Sequence, residues 1–184
     1  MIREIAGIWL LGLMALGGCA TAPKGNEAGT SAAPAGARAN VPAVRRDGDV
    51  PVPASCSAQV NEKLAGLISA GQSSAVDNVM VCGITVSASR TQHGRAHGDH
   101  EIFPLRVTMP GGDVRLVEVV SNDELDGKVT AGPNTAVFAY GQAFFPSGGR
   151  FVAGVHDVHC STHRGADNGW IVVGGEKHPG SCSR

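Results

Sequence analysis

Residues 155–170 read VHDVHCSTHRGADNGW, with three histidines, two aspartates, a cysteine and a tryptophan in sixteen residues. Imidazole serves both as a transition-metal ligand and as a general acid or base near neutral pH. A metal centre needs three or four donors at about 2.0–2.3 Å from the ion. The valine content of FVAGVHDVHC predicts a strand, and side chains alternate along a strand. Asp157 and His159 then share a face and His156 points away, so a local three-histidine site requires a bulge or strand end near Val158. A tertiary site is easier to build. His159 and His163 would meet His100 and Glu101 from HGDHEIF, with Asp157 or Asp167 orienting an imidazole. His100, His159 and His163 are the candidate metal ligands, and this donor set suits zinc or copper. The candidates for acid–base work are Glu101, Asp157, His159 and His163; Asp167 and Trp170 are candidate ligand contacts. The competing expectation is structural: histidines bonded to backbone at a barrel corner, with Trp170 capping the core.

The other chemistry-bearing types are less organised. His93 and His97 lie in a glycine-rich run that reads as an exposed loop, and His178 stands alone. PGGDV, GPNTAV and PSGGRF contain glycine but lack the strand–loop–helix setting of a phosphate loop. No Gly-x-Ser-x-Gly or His-Glu-x-x-His pattern occurs. Ser161 and Thr162 adjoin His163, and neighbours so close in sequence rarely face one another as nucleophile and base.

The elements that must position these residues follow from hydrophobic period. Val60, Leu64, Leu67 and Ile68 fall at i, i+4, i+7 and i+8, which predicts one amphipathic helix, capped near Ser55 or Ser57 and stopped at Gly71. VDNVMVCGITVSAS then predicts a strand. HEIFPLRVTM alternates, with Phe103, Leu105, Val107 and Met109 inward, and PGGD turns it back into VRLVEVV. Pro104 suggests an edge or an irregular strand start. SNDELDGKVTAGPN reads as a loop, followed by TAVFAYGQAFF, RFVAGVHDVHC and GWIVVGG as strands. Phe144 and Phe145 are adjacent, so on a strand one faces in and the other out; the outer one packs on the barrel's second face or, less commonly, serves as a binding aromatic. Five or six short strands with one N-terminal helix predict a mainly β fold, a small OB-like barrel, with a two-sheet sandwich as the alternative.

The two ends of the chain differ in composition. Residues 1–18 carry Arg3, an apolar run of about twelve residues and then small residues, which is the build of a secretory signal. The run is short for a bilayer core of ~30 Å. Leu16-Gly17-Gly18-Cys19 resembles the bacterial lipobox, which implies acylation of Cys19; Ala20 after it implies the outer membrane. Residues 19–54, rich in Ala, Gly and Pro, form the lipidated cysteine and a disordered tether with a reach of roughly 35 Å. Residues 55–184 form the single folded domain. The chain's net charge of −1 and the absence of a basic run argue against nucleic acid as a partner. Beyond Cys19 there remain Cys56, Cys82, Cys160 and Cys182. In an exported domain these read as two disulfides with three possible pairings, of which the two local ones, Cys56–Cys82 and Cys160–Cys182, are favoured. No CxxC spacing supports zinc thiolates.

HGDHEIF, VVSNDELDGKV, VFAYGQAFF and HDVHCSTHRGADNGW together resemble a family of functionally uncharacterised exported bacterial proteins, a domain of unknown function. The matching positions are His100, Phe103, Asn122, Leu125, Gly141, His159, Thr162, His163, Gly169, Trp170 and Ile171. The resemblance implies a small β-barrel with a histidine-lined feature built from His100, His159 and His163, and it supplies no activity. Glu101 stands where the family pattern has glutamine, and Cys160 and Ser161 stretch its His-x-Thr-His segment. The leading expectation is an envelope lipoprotein, facing the periplasm or cell surface, whose barrel binds a small ligand, a metal or an envelope component. A metal- or histidine-dependent hydrolase on the same residues is the second, and a purely structural envelope protein the third.

Overall fold

The computed structural model describes residues 50–94, 98–162 and 167–182. The stretches read as a signal and as a tether up to residue 49, with Cys19, and also His97 and His163, lie outside the described residues. A single 3-10 turn, Ala58–Asn61, leads into α1, Glu62–Ser69. The strands are β1 Val76–Thr85, β2 Arg90–Gln92, β3 His100–Thr108, β4 Val114–Asn122, β5 Ala136–Phe144, β6 Ala153–His156, β7 Trp170–Val173 and β8 Glu176–His178. A second short helix, α2 Asp123–Asp126, follows β4. None of the described helices is long and apolar enough to cross a membrane.

Five strands close a ring in the order β1–β3–β4–β6–β5 and back to β1. All its pairings are antiparallel except β4–β6. This is the Greek-key ring of an OB-type barrel, and ring closure removes the sandwich alternative. β2 pairs with β3 outside the ring, while β7 and β8 extend the sheet from β5.

The core follows the period-2 pattern. Phe103, Leu105, Val107 and Met109 are buried, and Arg106 and Thr108 are exposed. Facing them inside the barrel are Val117 and Val119 of β4, Val79 and Val81 of β1, Val137 and Ala139 of β5, and Ala153 and Val155 of β6. Full burial of each valine is worth about 1.5–3 kcal/mol. Leu64 of α1 is completely buried in the same cluster. The helix forms one turn later than its apolar stripe suggests, because Asn61 serves the barrel instead. Its side chain accepts from the Cys82 amide (2.8 Å) and donates to the carbonyls of Cys82 (3.1 Å) and Thr108 (3.0 Å). It therefore completes the ladder where β1 and β3 part.

Pro104 is not at an edge: β3 runs between β4 on one side and β1 and β2 on the other. Its missing N–H falls opposite the gap between β1 and β2, where only its carbonyl is needed, accepting from Val86 N at 2.9 Å. α2 lies in a stretch read as a loop, and β2 and β8 lie where the hydrophobic period assigns no element. Cys56 pairs with Cys82, and Cys160 with Cys182. Closing loops of about 25 residues stabilises by ~3–4 kcal/mol each in the chain-entropy account. Residues 50–53, read as tether, belong to the fold: the Val50 carbonyl accepts a hydrogen bond from Trp170 Nε1 at 2.8 Å.

Candidate functional site

β5 carries the local cause of the site. On one side it pairs with β1; on the other, Gln142 to Phe144 pair with β6 and Val137 to Tyr140 pair with β7. Between His156, opposite Gln142, and Trp170, opposite Tyr140, the chain leaves the sheet and returns. Gly141 lies at this hand-over. A Cβ there would stand 2.2 Å from the His156 carbonyl oxygen, and one on Gly169 would stand 2.1 Å from that of Asp157. The two glycines admit the backbone of Asp157, which adopts φ +54°, a left-handed conformation that aspartate tolerates better than most residues. β6 ends there and the strand alternation ends with it.

As a result His156, Asp157 and His159 all face one open groove of about 310 Å³. His100, the first residue of β3, and Asn122, the last of β4, are cross-strand partners and supply the opposite rim. Val120 and Phe144 form the apolar lining. Phe144 occupies the space over Gly154, where a Cβ would lie 2.1 Å from its ring, and meets the His156 ring edge-on at 5.2 Å. Phe145 packs instead against the barrel core.

The hydrogen bonds set the imidazole tautomers. Asn122 Oδ1 accepts from the amides of Glu124 (2.9 Å) and Leu125 (3.3 Å), capping α2. That orientation turns its NH2 toward His100 Nε2 at 3.4 Å, which then accepts. His159 Nδ1 donates to the Cys160 carbonyl at 2.9 Å, so its neutral ring presents an Nε2 lone pair. That nitrogen lies 3.7 Å from Asp157 Oδ1, and the same oxygen lies 3.1 Å from His156 Nδ1. The loop is held by Gly169 N donating to the His159 carbonyl (2.8 Å) and Ser161 N donating to Asn168 Oδ1 (3.0 Å). The Cys160–Cys182 bond adds a covalent tie.

Of the residues singled out from sequence, His100, Asp157 and His159 come together, and His163 is outside the described residues. Glu101 does not join them. Next to His100 on β3 it faces the barrel interior, 2 % exposed, and accepts from Thr91 Oγ1 at 2.8 Å. It has no access to a bound ligand and is removed as a candidate base. Trp170 is wholly buried, stacked on Tyr140 at 6.0 Å, and Asp167 accepts from the Tyr140 hydroxyl at 2.7 Å. Both are committed to packing on the outer flank of the barrel, and burial with the Asp167 bond pushes the Tyr140 phenol well up. His93 pairs with Asp99 at 2.9 Å in an exposed position, which lowers the Asp99 carboxyl. Sequence reasoning admitted His156 only if the strand ended near Val158, as it does; it named Asn122 through the resemblance without a role and passed over Val120. The signal for His156 was the aspartate after it, with glycines at 141 and 169 to admit a left-handed turn.

Among the described residues no group of three or more His, Cys, Asp or Glu side chains is arranged to hold a metal ion. Beside the groove, at the end of β4, Asp126 is buried with one carboxylate oxygen bonded to Ser121 Oγ (2.9 Å) and Asn122 N (2.7 Å). Its other oxygen has no partner, and burial raises its carboxyl despite these bonds and the nearby His159. No family model, curated protein or solved structure matches the chain.

Proposed function

We propose that this chain is a bacterial envelope lipoprotein, anchored through acylated Cys19, whose barrel binds a small ligand in the histidine-lined groove. The observation that carries the reading is the convergence of three separate strand ends on one open groove. His100 comes from β3, Asn122 from β4, and His156 to His159 from the end of β6, over Val120 and Phe144. Small-molecule sites pair an apolar lining with a few placed polar groups in this way. Two glycine positions, Gly141 and Gly169, leave no room for a side chain beside the turn that gathers these groups. The anchor rests on the sequence of residues 1–19 alone.

The test is ligand-observed NMR on the full mature chain in detergent micelles, screening small aromatic amines, alcohols and acids. Binders of the wild type that are lost in the double variant His156→Ala/His159→Ala, with its unfolding midpoint held, would support the reading. Equal destabilisation with no binder would make the histidines structural. Elemental analysis of chelator-free, untagged protein belongs beside it: near-stoichiometric zinc or copper, lost in His159→Ala, would make the groove a metal centre. Labelled palmitate incorporated by the wild type and not by Cys19→Ala tests the anchor.

One observation favours a second reading. The Cys160 carbonyl holds the His159 proton on Nδ1 and leaves its Nε2 lone pair facing the groove, which is the tautomer a general base needs. A hydrolase of this kind would use water as nucleophile, since none of the groove's described lining residues is a serine, threonine or cysteine. Ester turnover that disappears in His159→Ala would establish it.

A further inference from the structure

Resting on the reading of the groove as a ligand site, we infer that its ligand is a small organic cation with N–H donors and an apolar body, an amine or amidine rather than an acid. The argument starts from His159. Its Nδ1 proton is committed to the Cys160 carbonyl, so the neutral ring offers Nε2 to the groove as an acceptor. Asp157 Oδ1 faces that lone pair from 3.7 Å. His156 Nδ1 meets the same oxygen from 3.1 Å, and the half-exposed carboxylate keeps further acceptor capacity beside the His159 lone pair, where a donor can sit between them. A protonated nitrogen at about 2.9 Å from each would satisfy both.

The charge of the groove points the same way. Its described lining contains no lysine or arginine, and Asp157 is the only carboxylate. An anionic ligand would meet a like charge and no permanent countercharge. His100 supplies no spare donor at Nε2, which takes the Asn122 NH2. The apolar side of the groove suits the rest of such a molecule. The Phe144 ring, held between Gly154 and His156, lines the groove together with Val120, and an aromatic ring there attracts a cation that reaches its face. Carboxylate, imidazole lone pair and aromatic face together make a site for an ammonium or amidinium group with a hydrocarbon portion.

The experiment compares three probes of one size on the full mature chain: phenethylamine, 2-phenylethanol and phenylacetate, with zinc ion alone as a fourth. Isothermal titration and NMR shifts of the groove residues give the affinities. The amine is expected to bind at least tenfold more tightly than the alcohol, and phenylacetate most weakly. Asp157→Asn should lower the amine's affinity toward the alcohol's and so remove that tenfold preference, and Phe144→Leu should weaken amine and alcohol together. Alcohol or acid binding as well as the amine would overturn the cation assignment and leave the groove as a ligand site. Zinc binding that excludes the amine would also overturn it, in favour of a metal centre. Groove resonances unmoved by every probe would count against the ligand-site reading itself.

Discussion

The outer face of β5 carries aromatic side chains at both ends, and the barrel treats the two ends differently. At the Tyr140 end, β7 lays Trp170 beside the ring, Phe138, Met80 and Val172 pack around it, and Val50 crosses with its carbonyl on the indole N–H. Nothing of Trp170 remains exposed. At the Phe144 end β6 is only four residues long, gives way to the left-handed Asp157, and leaves the ring only partly buried among histidines. One flank satisfies its polar tips within the protein: the phenol on Asp167 and the indole on Val50. The other turns a carboxylate and an imidazole lone pair toward open space. An aromatic cluster with all its polar atoms paired is packing, and one rimmed by acceptors facing solvent is a place for a ligand.

That contrast can be broken by substitution. Trp170→Ala should have the largest effect, a loss of about 3–5 kcal/mol in chemical denaturation, as for other buried aromatics. Ligand affinity should be retained wherever the variant is folded, and a specific loss of binding at full stability would contradict the division into two flanks. Gly141→Ala comes next, because its Cβ meets a backbone carbonyl and not a side-chain tip that could move aside. About 1–3 kcal/mol is expected, with displaced His156 and His159 ring resonances. Unchanged resonances would mean the Asp157 turn does not depend on that glycine.

Phe144→Ala sharpens the comparison from the open side. The ring is only partly buried, so the cost should be on the order of 1–2 kcal/mol, below that of Trp170→Ala, while groove binding falls at least tenfold. A stability loss matching Trp170→Ala would make this flank packing too. The smallest effect is expected from Asp126→Asn, which keeps an acceptor for Ser121 and the Asn122 amide and replaces the unpartnered oxygen with NH2. The folded carboxyl is raised above its ordinary 3.8 chiefly by burial, so the native state holds the proton more tightly than the unfolded chain. Its contribution to stability is present below 3.8 and is lost as pH rises through the raised value. The variant should lack that loss, gaining relative to wild type as pH rises through this window and staying ahead at neutrality. Parallel pH–stability curves would show that Asp126 is not charged at a cost.

Several features of the molecule were legible because they depend on neighbours in sequence. The inward set Phe103, Leu105, Val107 and Met109 follows from alternation, the β3–β4 hairpin from its two glycines, and the stripe of α1 from helical spacing. The same alternation could have separated Glu101 from His100, since adjacent strand residues cannot share a face. β2 and β8, three residues each, were invisible because so short a segment carries no period of its own and is a strand only by pairing with β3 or β7. Asn61 inside a predicted helix face and Pro104 on an interior strand ran against local expectation for one reason: each answers to a backbone gap that exists only once β1, β2 and β3 are assembled.

By itself, then, the sequence determined a mainly β domain with one leading helix, four cysteines for two bonds, and a histidine-bearing segment at the end of a strand. These depend on residue type and spacing, which act over a few residues. The tertiary structure alone decided that β6 and β7 share one edge of β5, and that the handover at Gly141 bends Asp157 into a left-handed turn. That turn, together with ring closure, brings His100 within reach of the same groove. Such outcomes depend on backbone-to-backbone clearances across the barrel, where a single Cβ is the difference between room and collision, and no local pattern encodes that distance.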